Sequence, residues 1–401
     1  MRRLVWLLLL LFAFAIPWEY SLDLVEPLGN IARLLGLLLL LAAIPALLQT
    51  GRLRMPGPMH WIVLAFFLWF CCTAFWTIDP LTTLTKLRAY FQEMMIVWIV
   101  WEFAESPGDL RALLRAAVAG SWVLALLTLA NFLSAAAIAA QQLRFAATGQ
   151  DPNDVARFLN LTFPLAALLF NCERRQPWRL LAVGYLPLGL LAVLLTASRG
   201  GFLAAVVALS GSALLLAVGH PRRVIAGAMA LPPLAALLWF TLPHSTIERL
   251  ASIAEQLHGG DLNQRVNIWS AGWQAFARAP WFGSGAGTFV GAAGTSAIDT
   301  AHNTALTLAV TGGLCALFLA TAILAVALWS ILRISGPLKW ALALSLAVWC
   351  ITSMVATVEE SRTTWLLLAL IAFAGRLADD EPEELATCFP GAAPTQEAGP
   401  I

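Results

Sequence analysis

The feature that most constrains this chain is a succession of apolar stretches long enough to cross a lipid bilayer. Only helices and closed barrels satisfy their own backbone hydrogen bonds in lipid, and a spanning helix needs about 20 mainly apolar residues. By that measure we predict an all-α, polytopic membrane protein with about twelve helices. They lie at residues 4–16, 28–48, 59–76, 84–103, 113–131, 155–171, 178–196, 200–218, 222–242, 302–331, 337–355 and 361–378.

The composition agrees with a membrane protein and limits its partners. Hydrophobic residues make up 60% of the chain and charged residues 12%, with a mean hydropathy of +0.79, whereas a soluble domain is about one quarter charged. The net charge is +1 and no basic stripe is interleaved with aromatic residues, so we expect membrane lipids as partners and no nucleic acid. The cysteines lie mostly in or beside apolar runs without a CxxC pair, which is typical of small buried side chains.

One transmembrane domain is expected over residues 1–378, followed by a tail. Residues 243–301 are the one long polar stretch, and the acidic, proline-rich tail 379–401 is predicted to be disordered. The first apolar run also fits a signal peptide, because Arg2 and Arg3 precede it. We favour a retained helix, because its removal would leave an odd number of spans.

The distribution of Lys and Arg predicts the orientation, since short cytoplasmic loops are enriched in both. Most loop cations fall on one side, which we assign as cytoplasmic together with both termini. The stretch 243–301 and the turn at Arg199 then lie on the outer side, where basic residues are expected to be few. The exceptions there suggest an anionic ligand; they are Arg33, Lys86, Arg88, Arg144, Arg157, Arg199, Arg249, Arg265, Arg278 and Arg362.

Two arginines stand out among these exceptions. Arg199 lies between two apolar runs and precedes paired glycines, which allow a sharp turn, and its planar fork suits phosphate oxygens. A snorkelling interfacial arginine explains it equally well. Arg265 precedes Trp269 by one turn of a predicted amphipathic helix at 263–278, whose apolar face we assign to Val266, Trp269, Trp273 and Phe276. The glycine-rich turn Gly283–Gly287 that follows lacks the Lys of a nucleotide-binding loop.

His302 opens the next apolar run and is a candidate general base. A neutral imidazole titrates near about 6.5 and can accept a proton at physiological pH. Asp299 could orient His302 if the helix begins by then, and a structural histidine is the alternative. The spacing of the five histidines contains no HxxxH pattern, so no metal or other cofactor is expected.

Two further segments carry candidate ligand contacts. Residues 144–157 hold Arg144 and Arg157 around an Asp-Pro-Asn turn that signals a helix start, and solvation in a loop is favoured for Arg157. Lys86 and Arg88 lie on the fourth run, where Glu93 could neutralise one of them internally.

These segments together resemble the bacterial O-antigen ligase family. The resemblance rests on Thr-Ala-Ser-Arg-Gly-Gly at 196–201, Arg-Val-Asn-Ile-Trp at 265–269 and His-Asn-Thr-Ala-Leu at 302–306, with Gly312 and Gly313 in the following helix. The Asp-Pro-Asn-Asp segment, the helix of Lys86 and Arg88, the twelve-span layout and the large outer loop also fit. Each motif is short, but the order of the motifs and their side of the membrane fit the family, and together they extend over nearly the whole chain.

The resemblance implies a metal-independent, inverting glycosyltransferase at the periplasmic face of the bacterial inner membrane. It would transfer a polysaccharide from undecaprenyl diphosphate to a sugar hydroxyl of lipid A–core, completing lipopolysaccharide. We expect His302 to be the base and Arg199 and Arg265 to hold the diphosphate. Further contacts to diphosphate or sugar would come from Lys86, Arg88, Arg144, Arg157, Asp299 and Trp269.

Other functions remain open at the level of sequence. An O-antigen polymerase would use the same donor and the same residues. A transporter also suits about twelve spans, but it should place polar groups along a path at mid-membrane, and here they gather at the outer ends. A structural scaffold does not explain three such residues on one side.

Overall fold

The computed structural model describes residues 1–22, 29–51, 53–136, 144–217, 220–253, 255, 265–296 and 300–390. These ranges are helical, without a β-strand. The helices are α1 Arg2–Ala15, α2 Ile31–Thr50, α3 Pro58–Thr73, α4 Pro80–Phe103, α5 Pro107–Ala136, α6 Pro152–Cys172, α7 Gln176–Leu195, α8 Arg199–Ala217, α9 Pro221–Thr241, α10 His244–Ala251, α11 Arg265–Arg278, α12 Phe289–Ala293, α13 Thr304–Arg333, α14 Gly336–Ser353, α15 Arg362–Asp380 and α16 Pro382–Cys388. A 3₁₀ helix, Ile16–Ser21, follows α1.

All twelve apolar runs of the sequence coincide with helices, namely α1–α9 and α13–α15. The all-helical prediction is therefore confirmed for the described residues. Eight helices there are long and apolar enough to cross a membrane, or nine if α9 and α10 form one bent span. The prediction of about twelve spans is not confirmed. Helix α3 has only 16 residues, and α4 and α15 carry several charged side chains.

Helices α6 and α15 form the centre of the bundle. Helix α6 packs against α5, α7, α8 and α14, and α15 packs against α4 and α13. Nearly every side chain between Val155 and Leu169 is buried, as expected of a helix that is enclosed on all sides. Side-chain hydrogen bonds join it to its neighbours: Asn160 Nδ2 donates to the carbonyl of Gly201 at 2.7 Å, and the Tyr185 hydroxyl of α7 donates to that of Leu159 at 2.8 Å.

Helix α13 is broken near its first third, and the glycine-rich turn docks there. Gly313 has φ 67° and ψ −164°, so the helix cannot close its hydrogen bonds across this point. The amides of Ser284 and Gly285 donate to the carbonyls of Val310 and Thr311, each at 2.9 Å. The turn is thus an ordered part of the bundle, because it supplies donors that the broken helix needs.

Helix α11 packs on α13 with a face that matches the predicted one only in part, since Trp269 and Phe276 of that face pack there. Ile268 and Ala275 are buried, and a Cβ added to Gly272 would lie 2.9 Å from Leu306, so the two helices approach closely. Val266 and Trp273, which we assigned to the apolar face, are 50% and 58% exposed. Sequence periodicity alone did not distinguish the face against α13 from the exposed one.

The predicted disorder of the tail is wrong for residues 379–390. Helix α15 continues to Asp380, and α16 follows directly. Leu385 and Phe389 are buried, and the guanidinium of Arg111 lies 5.5 Å from the Phe389 ring. Burial of these two apolar side chains anchors the otherwise polar segment. Residues 391–401 lie outside the described residues.

Candidate functional site

Most of the candidate residues meet at one end of the bundle, where α6, α8, α13 and α15 begin. The connection between α14 and α15, residues 354–361, runs among these helix ends, and we call it the α14–α15 segment. Asn303 donates to the carbonyl of Met354 at 3.3 Å, and a Cβ on Gly200 would lie 2.8 Å from Val355. The segment therefore joins the surroundings of His302 to those of Arg199.

Three arginines, Arg199, Arg249 and Arg265, lie within electrostatic reach of a fourth, Arg144, at this end. We call them the arginine cluster. Burial lowers the pKa of Arg144, and the positive charges of the other three lower it further, while Asp151 opposes them. Burial likewise lowers the pKa of Arg265. Guanidinium groups stay protonated despite such shifts, so the cluster concentrates positive charge in a partly buried space.

Backbone carbonyls hold two of these arginines in place. The Arg199 Nε donates to the carbonyl of Arg249 at 3.2 Å, and the Arg249 Nε donates to that of Ala197 at 3.1 Å. The Arg199 Nη2 also donates to the Ser252 hydroxyl at 2.7 Å. These bonds fix the side chains of Arg199 and Arg249 relative to each other and to the turn before α8.

Arg144 is fixed in a similar way from the chain before α6. Its Nε donates to the carbonyl of Thr196 at 3.1 Å, and its Nη2 donates to Asn153 Oδ1 at 2.8 Å. The Ser198 hydroxyl donates to the same Asn153 oxygen at 2.8 Å. The start of α6 and the turn before α8 are therefore one hydrogen-bonded unit.

The turn before α8 is strained at a residue other than the predicted glycines. Ala197 has φ 48°, a left-handed conformation that alanine rarely adopts. Gly200 and Gly201 lie within α8, and they are needed for close packing, because a Cβ on Gly201 would lie 2.5 Å from Ala156. The sequence correctly indicated close backbone approach but placed the turn two residues too late.

His302 also has a left-handed backbone, with φ 45°. Its neighbours fix this conformation on both sides: Trp269 Nε1 donates to the carbonyl of Ala301 at 2.9 Å, and Asn303 Oδ1 accepts from the amide of Leu306 at 2.9 Å. Strain of this kind is found preferentially where a side chain must be held for function. Helix α13 begins only at Thr304, so His302 precedes its N-cap.

A second charged site lies beside the α14–α15 segment. It is a cavity of about 660 Å³ that we call the mixed-charge cavity. The Lys86 ammonium pairs with Glu360, and the Arg157 Nη2 lies 3.0 Å from Asp154 Oδ1. Its charged lining consists of Arg33, Lys86, Arg88, Glu93, Asp154, Arg157, Glu360 and Arg362, and its neutral polar lining includes Tyr20, Asn30, Thr82, Thr85, Gln92, Thr357 and Ser361.

Two carboxyl groups, Glu93 in the cavity lining and Glu359 next to the lining residue Glu360, are buried with oxygen atoms that accept no hydrogen bond from the described residues. Glu93 is 3% exposed, and its Oε2 has no hydrogen-bond partner among the described residues. Glu359 is 5% exposed and neither carboxylate oxygen has a partner there. Burial raises the pKa of Glu359 to about 7, although the charge of Lys86 opposes the shift. Open acceptors of this kind are costly unless a donor reaches them.

The first turns of α6 separate the two sites. Asp151 and Asn153 face the arginine cluster, whereas Asp154 and Arg157 line the mixed-charge cavity. Arg157 also donates to the Ser361 hydroxyl at 3.1 Å. One helix end thus carries contacts to both sites.

The predicted site residues fall into these groups. Arg144, Arg199 and Arg265 meet in the arginine cluster, whereas Lys86, Arg88 and Arg157 line the mixed-charge cavity. Trp269 supports the backbone before His302, and Asp299 lies outside the described residues. The expectation of a solvated loop residue is wrong for Arg157, which is 3% exposed because Asp154 and Ser361 bind its guanidinium.

Sequence reasoning missed several members of both sites. Arg249 appeared only among the outer cations, and its helical surroundings gave no further signal. Glu93 was expected to neutralise a cation of α4, but Lys86 pairs with Glu360, which lies 274 positions away. Only tertiary packing brings such residues together.

The fold and this site define a class: an all-helical protein with several membrane-length helices and a strongly cationic site beside a constrained histidine. Residues 184–321 match the protein-family model described as O-antigen ligase. Over this segment, which holds Arg199, Arg265 and His302, the match supports the resemblance to the O-antigen ligase family. No curated protein matches the chain.

Proposed function

We propose that the protein is an O-antigen ligase, a glycosyltransferase that acts on a lipid-linked polysaccharide. Its donor is a polysaccharide on undecaprenyl diphosphate, and its acceptor is a sugar hydroxyl of lipid A–core. The observation that carries this proposal is the arginine cluster beside the His302 loop. Arg199, Arg249, Arg265 and His302 all fall within the family segment 184–321.

The arginine cluster suits the diphosphate of the donor. A diphosphate carries several negative charges, and guanidinium groups bind phosphate oxygens in pairs of parallel hydrogen bonds. The N-terminal ends of α6 and α8 add partial positive charge at the same place. The arginines therefore neutralise the leaving group as the bond to the sugar breaks, and the proposed reaction requires no metal ion.

His302 acts as the general base. Its imidazole takes the proton from the acceptor hydroxyl, and the oxygen forms a bond to C1 of the donor sugar. The bond between C1 and the phosphate oxygen breaks, and undecaprenyl diphosphate leaves with the electron pair. Attack from the face opposite the diphosphate inverts the configuration at C1, and no second catalytic carboxylate is needed for this single step.

The membrane orientation is part of the proposal. Lys and Arg are enriched in the loops at the other end of the bundle, which we assign to the cytoplasm together with both termini. The arginine cluster and His302 then face the periplasm of the bacterial inner membrane.

The test is transfer by the purified protein reconstituted in lipid, with polysaccharide-linked undecaprenyl diphosphate and lipid A–core and without added metal. We expect the polysaccharide on the core, and we expect Arg199→Ala and His302→Ala variants that fold normally to lose transfer. Growth of the polysaccharide on its carrier would instead identify a polymerase. A protein that moves the donor across the bilayer without new glycosidic bonds would be a transporter.

A further inference from the structure

The mixed-charge cavity differs from a phosphate site in its chemistry. Its five cations lie among five acidic residues, because Glu19 pairs with Arg362 and Glu359 lies near Lys86, in addition to Glu93, Asp154 and Glu360 of the lining. A phosphate would therefore meet carboxyl groups as well as guanidinium groups. Hydroxyl and amide side chains such as Tyr20 and Gln92 complete the lining. Balanced charges combined with many donors and acceptors are suited to a neutral polyol, whose hydroxyls both donate and accept.

The buried carboxyl group of Glu93 is a second reason to expect a sugar in the cavity. It is almost fully buried, it lines the cavity, and one of its oxygens lacks a partner among the described residues. A buried carboxylate is strongly penalised for each unmade hydrogen bond. Sugar hydroxyls would satisfy this oxygen, whereas phosphate oxygens would be repelled by it.

The cavity also lies next to the proposed base. Thr357 lines it, and the neighbouring Ala356 carbonyl accepts a hydrogen bond from Thr304 at 2.9 Å. Thr304 follows His302 by two residues. A saccharide in the cavity is thus held beside the His302 loop and on the opposite side of the α6 first turns from the arginine cluster.

We propose that the mixed-charge cavity binds the saccharide of the acceptor, with Glu93 accepting hydrogen bonds from sugar hydroxyls. The volume of about 660 Å³ lies within the range of about 300–1,000 Å³ that is usual for small-ligand sites. This assignment rests on the proposed function, because it divides the two substrates between the two sites. The donor diphosphate occupies the arginine cluster, and the sugar that attacks it enters from the cavity.

The experiment measures transfer by the reconstituted full-length protein over a range of acceptor and donor concentrations. Glu93→Gln keeps the shape of the side chain but replaces one acceptor oxygen with an amide group that only donates, and we expect the acceptor KM to rise roughly tenfold. The donor KM and the kcat at saturating acceptor should stay near those of the wild type. An unchanged acceptor KM, or a rise confined to the donor KM, would overturn the assignment.

A second variant does not depend on a buried substitution. Thr85 is exposed at the cavity and its hydroxyl donates to the carbonyl one turn earlier at 3.0 Å. Thr85→Trp fills the cavity, so this variant should no longer bind the isolated core oligosaccharide. Saturation-transfer NMR measures that binding. Thr321→Trp is the matched control, because Thr321 is equally exposed and makes the same intrahelical bond at 2.8 Å on α13, away from the cavity.

The two proposals fail in different ways. Absence of transfer by the wild type contradicts the proposed function, whatever the cavity binds. If the wild type transfers polysaccharide and Thr85→Trp binds the oligosaccharide like the control, the function stands and the acceptor assignment is wrong.

Discussion

The arginine cluster and the mixed-charge cavity lie on opposite sides of the first turns of α6, and both are rich in cations. In the cluster, Arg199, Arg249 and Arg265 act electrostatically on Arg144, and Asp151 acts on Arg144 and Arg265. In the cavity, cations are interleaved with carboxylates, and Lys86 and Arg157 each have an acidic partner. Counting arginines in the sequence does not reveal this difference, because the carboxylates come from distant parts of the chain.

The difference indicates what each site lacks. Like charges in the cluster repel one another, and an anion would relieve that repulsion. Balanced charges need no counter-ion, but the open carboxylate oxygens of Glu93 and Glu359 need donors. The first site is therefore suited to a diphosphate and the second to sugar hydroxyls.

The largest effect is expected at His302, which lies beside both sites. Asparagine tolerates the left-handed backbone of this position, so His302→Asn should fold while losing the base. Loss of a general base lowers turnover by roughly 10²–10⁴-fold. The measurement is kcat in the reconstituted transfer assay, with thermal unfolding as the control for folding. A variant that keeps wild-type turnover would exclude His302 as the base.

The second prediction concerns the cluster. Arg265→Gln should weaken binding of the donor by about 10–100-fold, because a charge-assisted hydrogen bond to phosphate is lost. The free protein should not lose thermal stability, because the substitution also removes repulsion among the arginines. A loss of stability together with unchanged donor affinity would show that Arg265 is structural.

The third prediction concerns the cavity, where charge removal should have the opposite effect on stability. Glu360→Gln breaks the pair with Lys86 and leaves that ammonium with only the more distant Glu359 and Glu93. Because Glu360 is 45% exposed, the cost should be only about 1 kcal/mol of unfolding free energy. Denaturant unfolding of this variant beside Arg265→Gln is the measurement. Equal stability changes in the two variants would remove the distinction between the sites.

The smallest effect is a pH dependence confined to the cavity. Burial raises the pKa of Glu359 from 4.5 to about 7 in the folded protein. The protonated carboxyl is therefore favoured by folding, and this contribution is present below pH 4.5 and is lost as the pH rises through about 7. Wild-type thermal stability should fall relative to Glu359→Gln over that range. Parallel pH profiles of the two proteins would contradict the prediction.

The sequence predicted the helices well, because apolar runs of membrane length determine them independently of tertiary contacts. The charge distribution also predicted that Arg199, Arg265 and His302 share one side, and in the structure their surroundings lie at one end of the bundle. The boundary near His302 was placed slightly too early, since Asn303 caps the helix with its side chain. Periodicity does not detect a cap of this kind.

The division into two sites could not be predicted from the sequence. It depends on the α14–α15 segment, which brings Glu360 to Lys86 and Ser361 to Arg157 across 274 and 204 positions. It also depends on α6, whose successive polar residues face different sites. Contacts at such separations arise from packing and leave no local pattern.

The central claim is that the arginine cluster, and not the mixed-charge cavity, holds the diphosphate. The most direct test is the affinity of undecaprenyl diphosphate without sugar for the reconstituted wild type, Arg265→Gln and Glu93→Gln. We predict that Arg265→Gln binds about 10–100-fold more weakly than the wild type and that Glu93→Gln binds equally well. Wild-type affinity in Arg265→Gln, with altered affinity in Glu93→Gln, would contradict the account.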